Sequence, residues 1–484
     1  MAESEGALSA PTRRALFGTL TPTDTASAVV RRLRATIGLG FLSDGDKLPR
    51  ESDLAKQLGV TSFTLREALG ILRDEGLIIT RAGKNGGSFV QRSTATTDLA
   101  GVELAQMSSA ELRDLGDWRR MLTVQAAALA AHRASDANVE RLNQYAGLVA
   151  ADSDLDHARR AFGRFHLELA AAAQSARLSR AEITMHEEFD WIASLLLTDQ
   201  ADRRQCARGM RTITEAVRSR QPEAARAAAE NHLSQLVRKL VARRLELIAA
   251  QHGTAEQAMQ GFSSFPAEVR NFADQLLTQL RLIAEAVAEP LASNINPSDL
   301  HNVVGRAVMA RLNDIGPAID GIGVLAEVGT VAQHPYWLDW WHCTKTGPFE
   351  RDTRHVLDPE RDDFYDYELK EFIARPRTHR APWATGPYVD YGGVDDYSMT
   401  FSYPISHDDQ FLGISAIDVL AADMERHFAP WLAQAAGTCL LLNSESRVIV
   451  SNSATHNVGD VVRATAGLHV VPLDIFEWSL ATAP

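Results

Sequence analysis

The sequence predicts a multidomain protein: a winged helix-turn-helix, then an all-α helical bundle, then an α+β domain with an antiparallel sheet. Three observations predict it. In the first ninety residues, short amphipathic segments meet at a Gly-containing turn and are followed by a Gly-rich basic hairpin. From about Leu99 to Ala250, apolar residues recur three and four apart with almost no Gly or Pro. After Pro266 one more helical stretch gives way to aromatics, Gly, Pro and Asp, with short runs of β character.

A length of 484 residues suits about three domains, at roughly 150 residues each. The 45% hydrophobic and 23% charged content is that of an ordinary globular protein. The most apolar stretch, Gly316 to Ala332, is broken by Asp320 and Glu327, so no membrane partner is expected. The N-terminus has no apolar signal core, and Cys206, Cys343 and Cys439 show neither metal spacing nor a disulfide framework. A cytoplasmic protein is expected. Net charge is −13, yet residues 1–92 carry 13 Lys/Arg against 10 Asp/Glu. A basic-leaning head on an acidic body suits a DNA reader, because phosphate contact needs local positive charge.

Residues 1–22 lack apolar periodicity and are expected to be disordered, and residues 23–92 form the head. Val29, Leu33 and Ile37 share one face of a first helix that ends at Gly38 and Gly40. Glu51 to Leu58 follows Pro49 as a short helix and stops at Gly59. Thr61 caps the next helix, with Leu65, Leu69 and Leu72 inward and Ser62, Phe63, Arg66 and Gly70 outward. Such a pair can lay its second helix in a major groove, first turn towards the bases. Leu77–Arg81 and Gly87–Arg92 form a hairpin around AGKNGG, whose tip carries Lys84 and Asn85 for a phosphate or the minor groove. The polar stretch 93–98 reads as a linker, 99–250 as the bundle, 251–265 as a second linker and 266–484 as the α+β domain.

These residues carry a resemblance. LPRESDLAKQLGV, LREALGILRDEGLI and the Gly-rich wing ending in FV resemble the DNA-binding domain of the GntR family. The resemblance implies a transcriptional regulator, a repressor by analogy, that contacts a double-stranded operator through Arg66. The candidate DNA contacts are Arg50, Thr61, Ser62, Phe63, Thr64, Arg66, Lys84, Asn85 and Gly86. Ser52 and Ser62 stand where the family usually has Arg, so a shifted operator is expected.

DWRRMLTVQAAALAAHRA, FGRFHLELAAAAQSARL and ITEAVRSRQPEAARAAAENHL resemble the FCD effector domain of the FadR subgroup. That implies a homodimer and a pocket at Arg119, His166 and His232, often holding a divalent metal. Here Phe162 stands in place of the metal-binding Asp and Met210 in place of the middle His. Two imidazoles alone make a weak site. Two neutral, hydrogen-bonded histidines are therefore favoured over a metal at His166 and His232, and no cofactor is assigned. His186 could replace a missing ligand, but nothing in the spacing requires it.

DWWHC, DDFYDYELKEF, ATGPYVDYGGVDDYSMTFSYPI, FLGISAIDVL and LLNSESRVIVSN resemble a Cache-type sensor domain. An aromatic wall with a few carboxylates suits a small polar metabolite or an amine. The candidate lining is Trp341, Tyr365, Tyr367, Trp383, Tyr388, Asp390 and Asp418. Many relatives carry an Arg and a Trp-Tyr pair after the YDY-like element; here the stretch reads LKEF. Nucleophile elbow, P-loop, dinucleotide fingerprint, HExxH and CxxC are all missing, so an enzyme is not expected. Two alternatives stay open: an enzyme with an accessory DNA-binding head, or a C-terminal domain that only dimerises.

Overall fold

The computed structural model describes residues 25–83, 86–91, 95–151, 154–252, 262–293, 295–312, 319–342, 349–352, 355–361, 364–389, 397–435, 437–453, 455–463 and 467–483. They fall into two compact units, one built from residues 21–107 and 111–247, the other from 108–110 and 248–484.

In the first unit, α1 (Thr25–Gly38), α2 (Glu51–Leu58) and α3 (Ser62–Asp74) close over Val29, Leu33, Ile37, Leu54, Leu65, Leu69 and Leu72. Gly59 ends α2 at a φ of 70°, a left-handed conformation that glycine adopts without a Cβ penalty. The Thr61 hydroxyl opens α3 by accepting the Thr64 N–H at 3.1 Å. β1 (Ile78–Arg81) and β2 (Gly87–Val90) pair antiparallel, Ile78 opposite Val90 and Arg81 opposite Gly87. The expected order of helix, helix, turn, helix and two-stranded wing is present.

The bundle follows: α4 (Ala95–Gln106), α5 (Ser109–Arg133), α6 (Asp136–Ala150), α7 (Leu155–Ala172), α8 (Ala176–Met185), α9 (Gln200–Arg218) and α10 (Pro222–His252). α4 begins inside the stretch read as a linker, because Thr and Asp serve a helix's first turn as well as a loop. α6 packs against both α7 and α9. Between α8 and α9 the chain makes a π turn (His186–Asp190), one α turn (Trp191–Ala193) and a 3₁₀ turn (Ser194–Thr198). π turns often mark functional sites.

The head helix α1 rests on that π turn. Arg32 pairs with Glu187, and the Phe41 ring meets the His186 ring edge-on at 4.9 Å. Trp191 packs against Gly38, where an added Cβ would stand 1.7 Å from Cζ3, while its Nε1 donates to Glu103 at 3.0 Å.

In the second unit, α11 (Phe265–Ala292) and α12 (Pro297–Met309) precede two sheets. The larger is wholly antiparallel, in the order β5 (Glu350–Asp352), β4 (Leu338–His342), β3 (Gly321–Ala326), β8 (Gln410–Leu420), β7 (Tyr397–His407), β6 (Trp383–Val389). The smaller runs β10 (Val448–Ser451), β9 (Cys439–Leu442), β12 (Ser479–Thr482), β11 (His469–Pro472). α13 (Glu371–His379) and α14 (Ala421–Leu432) complete it. The runs of β character at 322–328, 398–405, 411–418, 438–443 and 447–451 fall on β3, β7, β8, β9 and β10. β4, β5, β6, β11 and β12 were not anticipated, being short, fully exposed (β11) or interrupted by Gly-Pro (β6).

Side chains alternate across the larger sheet, so each strand feeds two environments. Ile322, Val324, Trp341, Phe401, Ile417 and Val419 face a core shared with Val269, Phe272, Leu276, Leu280, Ile283 and Val287 of α11. The Ser415 hydroxyl donates to the Leu280 carbonyl at 2.8 Å and pins α11 there. The opposite face carries Gly321, Gly323, Trp340, Thr400, Ala416 and Asp418 in register.

The Gly38–Trp191 contact gives a test. Overpacking costs roughly 1–3 kcal/mol, so Gly38→Val is expected to lower the urea midpoint of the full-length chain; an unchanged midpoint would refute the contact.

Candidate DNA-reading surface and ligand pockets

α3 presents its first turn outward. Thr61, Ser62 and Phe63 are exposed, with Phe63 at 77%, and Thr64 is half-buried with its hydroxyl 2.9 Å from that of Thr61. Four buried residues, Leu65, Ala68, Leu69 and Leu72, fix which face that is. One turn on, Arg66 extends into solvent with Nε 3.2 Å from Glu51 Oε2, a pair that solvent keeps weak and a phosphate can displace. Arg50 is exposed at the N-terminus of α2.

At the wing, a Cβ on Gly86 would stand 2.3 Å from the Arg81 carbonyl, so only glycine fits there. Lys84 and Asn85 lie outside the described residues. Sequence reasoning missed Lys47 and Arg81, whose charges lie 5.6 and 4.7 Å from the centroid of the Phe89 ring. Their signal was weak because Lys47 reaches the wing through long-range pairing, with a bridge to Phe89 42 positions away.

In the bundle, Arg119 of α5 is fully buried. Its Nη1 donates to Glu182 Oε1 at 2.5 Å and its Nη2 to Asp190 Oδ1 at 2.9 Å. His186 Nδ1 lies 3.1 Å from the other Asp190 oxygen, and His166 Nδ1 lies 3.9 Å from it. Burial alone would raise the Asp190 carboxyl, but the Arg119 charge and the His186 hydrogen bond outweigh it and hold it at about 2. Glu182 goes the other way: burial and the nearby Asp190 charge push it up despite Arg119. Burial, reinforced by the Arg119 charge, lowers His166 well below its ordinary value and His232 to about 4. Both stay neutral at pH 7.

The histidines are not hydrogen-bonded as expected. Both ring nitrogens of His166 and Nε2 of His232 and His186 are buried without a partner, as are Thr123 Oγ1 and Arg119 Nε. The cause is their neighbours. Phe162 meets the His166 ring edge-on at 4.8 Å, His232 stacks on it at 6.2 Å, and Met210 is buried beside Cys206. The residues do not fit a metal. Phe162 and Met210 offer no hard donor, Arg119 already neutralises Asp190, and among the described residues no group of three or more His, Cys, Asp or Glu is arranged to hold an ion.

In the α+β unit a pocket opens on the glycine-bearing face of the larger sheet. Of the residues predicted to line it, the structure brings together Tyr365, Tyr388 and Asp418. Three others are corrected. Trp341 points to the opposite face, into the core, with its ring against Gly305 of α12. Tyr367 is a tether: its hydroxyl accepts the Trp337 N–H at 2.9 Å and lies 2.9 Å from the Ala326 carbonyl, and burial pushes its pKa up. Trp383 donates to Glu371 at 3.2 Å beneath the Arg375 guanidinium. Asp390 lies outside the described residues.

Sequence reasoning missed Asp320, Trp340, Asp352, His355 and Thr400, all in the lining. Trp340 lies over Gly321 and Gly323, where added Cβ atoms would come within 2.4 and 2.7 Å of it. The Tyr388 hydroxyl is 2.7 Å from Thr400 Oγ1, which donates to Asp418 Oδ1 at 2.6 Å.

Comparison with known proteins adds the following. The model for bacterial regulatory proteins of the gntR family matches residues 25–90, and that for the FCD domain matches residues 114–235. A protein of Mycobacterium gastri named as the HTH-type transcriptional regulator RmpR is 34% identical over 263 residues, 53% of this chain and 95% of its own length. The Glc operon transcriptional activator of Escherichia coli K12 is 29% identical over 219 residues, 42% of this chain and 83% of its own. Among solved structures, E. coli McbR/YncC aligns over 45% of this chain and 96% of its own at 17% identity and a TM-score of 0.29. Methyl-accepting Chemotaxis protein X aligns over 45% and 93% at 10% identity and a TM-score of 0.35.

The buried imidazoles set a pH window. With His232 at about 4 in the fold and 6.5 as its ordinary value, the unfolded chain binds protons that the fold refuses. Stability is therefore intact above pH 6.5 and is lost as pH falls towards 4, by roughly 3 kcal/mol from this group. His232→Gln is expected to flatten the fall in urea midpoint between pH 7 and 5; an equal slope in both proteins would contradict it.

Proposed function

The chain belongs to the GntR family of bacterial regulatory proteins, and on that footing we propose a sequence-specific DNA-binding transcriptional regulator whose operator occupancy is set by small-molecule effectors. The observation that carries this is the exposed first turn of α3, with Phe63 and Arg66 projecting from a helix whose other face is fully buried. Arg66 suits a phosphate or a guanine edge, and the Phe63 ring suits a thymine methyl. Serine at positions 52 and 62 accords with an operator that differs from the family's usual one.

Effector sensing in the bundle is supported by the partnerless polar atoms around Arg119, His166 and His232, which a small polar molecule would satisfy. The π turn offers a route to the head, since it carries Asp190 beside Arg119 and meets α1 through Glu187 and the loop after α1 through His186 and Phe41. An effector acts only by binding one arrangement of that turn more tightly than another. The cavity of the α+β unit supports a second, Cache-like sensor for a small polar metabolite.

A homodimer completes the reading: Trp118 and Met121 are exposed on α5, an apolar surface that a second copy would cover. Among the described residues no helix is long and apolar enough to cross a membrane. We read the protein as cytoplasmic and assign it no catalytic step.

The test is genomic footprinting of the purified protein, followed by titration of the recovered operator. Arg66→Ala is expected to weaken operator binding roughly 10- to 100-fold, towards the level of unrelated DNA. Unchanged affinity would overturn the assignment of α3.

A further inference from the structure

We propose that β11, the outer strand of the smaller sheet, is a docking edge for a second copy of this chain, pairing antiparallel with that copy's β11 about a two-fold axis at Val470. The proposal stands apart from the α5 surface described above and from any ligand.

Hydrogen-bond parity is the first argument. β11 ends the smaller sheet and pairs there with β12 alone, Val470 opposite Ala481 and Val471 opposite Leu480. The Leu473 N–H donates to the Trp478 carbonyl at 2.7 Å, which makes that pair a hydrogen-bonded one. Bonded and non-bonded pairs alternate along an antiparallel ladder. His469 and Val471 therefore turn their backbone groups to β12, while Val470 and Pro472 turn theirs outward. Among the described residues, no hydrogen bond reaches the N–H or carbonyl of Val470 or the carbonyl of Pro472.

The second argument is what this edge lacks. Natural proteins blunt such an edge with charged side chains or a bulge. Gly467 to Leu473 holds no Lys, Arg, Asp or Glu, and the register of β11 on β12 runs unbroken. All four residues of β11 are exposed, Val470 at 39% and Val471 at 43%. The chain carries a net charge of −13, so two copies approach most closely along an uncharged seam.

The third argument is self-complementarity. With the axis at Val470, that residue faces its own counterpart and the two exchange N–H···O bonds in both directions. Leu468 faces Pro472 of the second copy and supplies the donor that the proline lacks. An axis at Val471 would instead set each Val470 against a proline and lose a donor at both ends. Leu468, Val470 and Pro472 share one face by alternation, and Leu468 packs on the small core of Leu440, Leu442, Val448, Val462 and Ala481. Pairing carries that core across the axis, which makes a second copy of this strand the occupant that fits.

The test is disulfide trapping in the purified full-length chain, read on a non-reducing gel after mild oxidation. Val470→Cys puts two thiols opposite each other across the axis, with Cα atoms about 5.5 Å apart and within disulfide reach. Val471→Cys, equally exposed on the same strand, puts its Cα atoms about 8 Å apart and beyond that reach. Val470→Cys is expected to give a cross-linked dimer severalfold more abundant than Val471→Cys or the unsubstituted chain gives. Both substitutions lie on exposed side chains, and an unchanged thermal midpoint of the reduced proteins confirms that each folds. Equal trapping at the two positions would mark random collision and overturn the pairing. No cross-link at 470 above the unsubstituted chain would overturn the docking edge itself.

Discussion

One buried guanidinium organises the unit that carries the DNA-reading head. Arg119 has no water to stabilise it, and a lone charge there would cost far more than the fold can spare. It is tolerable only because Glu182 and Asp190 reach it from α8 and the π turn. That requirement ties the irregular segment between α8 and α9 to α5, and the head helix lies on the same segment. Removing the guanidinium would strand two carboxylates among apolar neighbours, which is why such pairs are costly to break even where they contribute little net stability. The place of the head is thus linked to a charge balance inside the bundle.

The same charge balance explains why the pocket departs from its family's pattern. A divalent cation and a guanidinium both serve to neutralise carboxylates. With Arg119 engaged by Asp190, and with Phe162 and Met210 presenting carbon and thioether, the carboxylate is satisfied and the imidazoles are left neutral and partnerless. What this buried cluster presents is hydrogen-bonding capacity rather than a coordination site.

The head was legible in the sequence because its signals are local: Gly59, Thr61 and the leucine spacing of α3 each act within a few residues. The substitutions at 162 and 210 were legible as well. The partners of Arg119 were not, since Glu182 and Asp190 lie 63 and 71 positions away and nothing in their immediate surroundings marks them. In the α+β unit the sequence reading put Trp341 in the cavity, where the structure puts its neighbour Trp340. With both faces of β4 buried, alternation gives no contrast between inside and outside, and parity is decided by pairing with β3. Aspartates 320 and 352 escaped for the opposite reason, as acidic residues near loops are common and only the sheet brings them together.

Trp340 resting over Gly321 and Gly323 means that the floor of the cavity is defined by missing side chains. A methyl group at Gly321 would press on the indole and make the chamber shallower, whereas one at Gly323 would first meet the Asp339 carbonyl and disturb the sheet. The depth of this chamber is therefore set from beneath, by a position that does not line it, and a single codon at 321 is enough to change it.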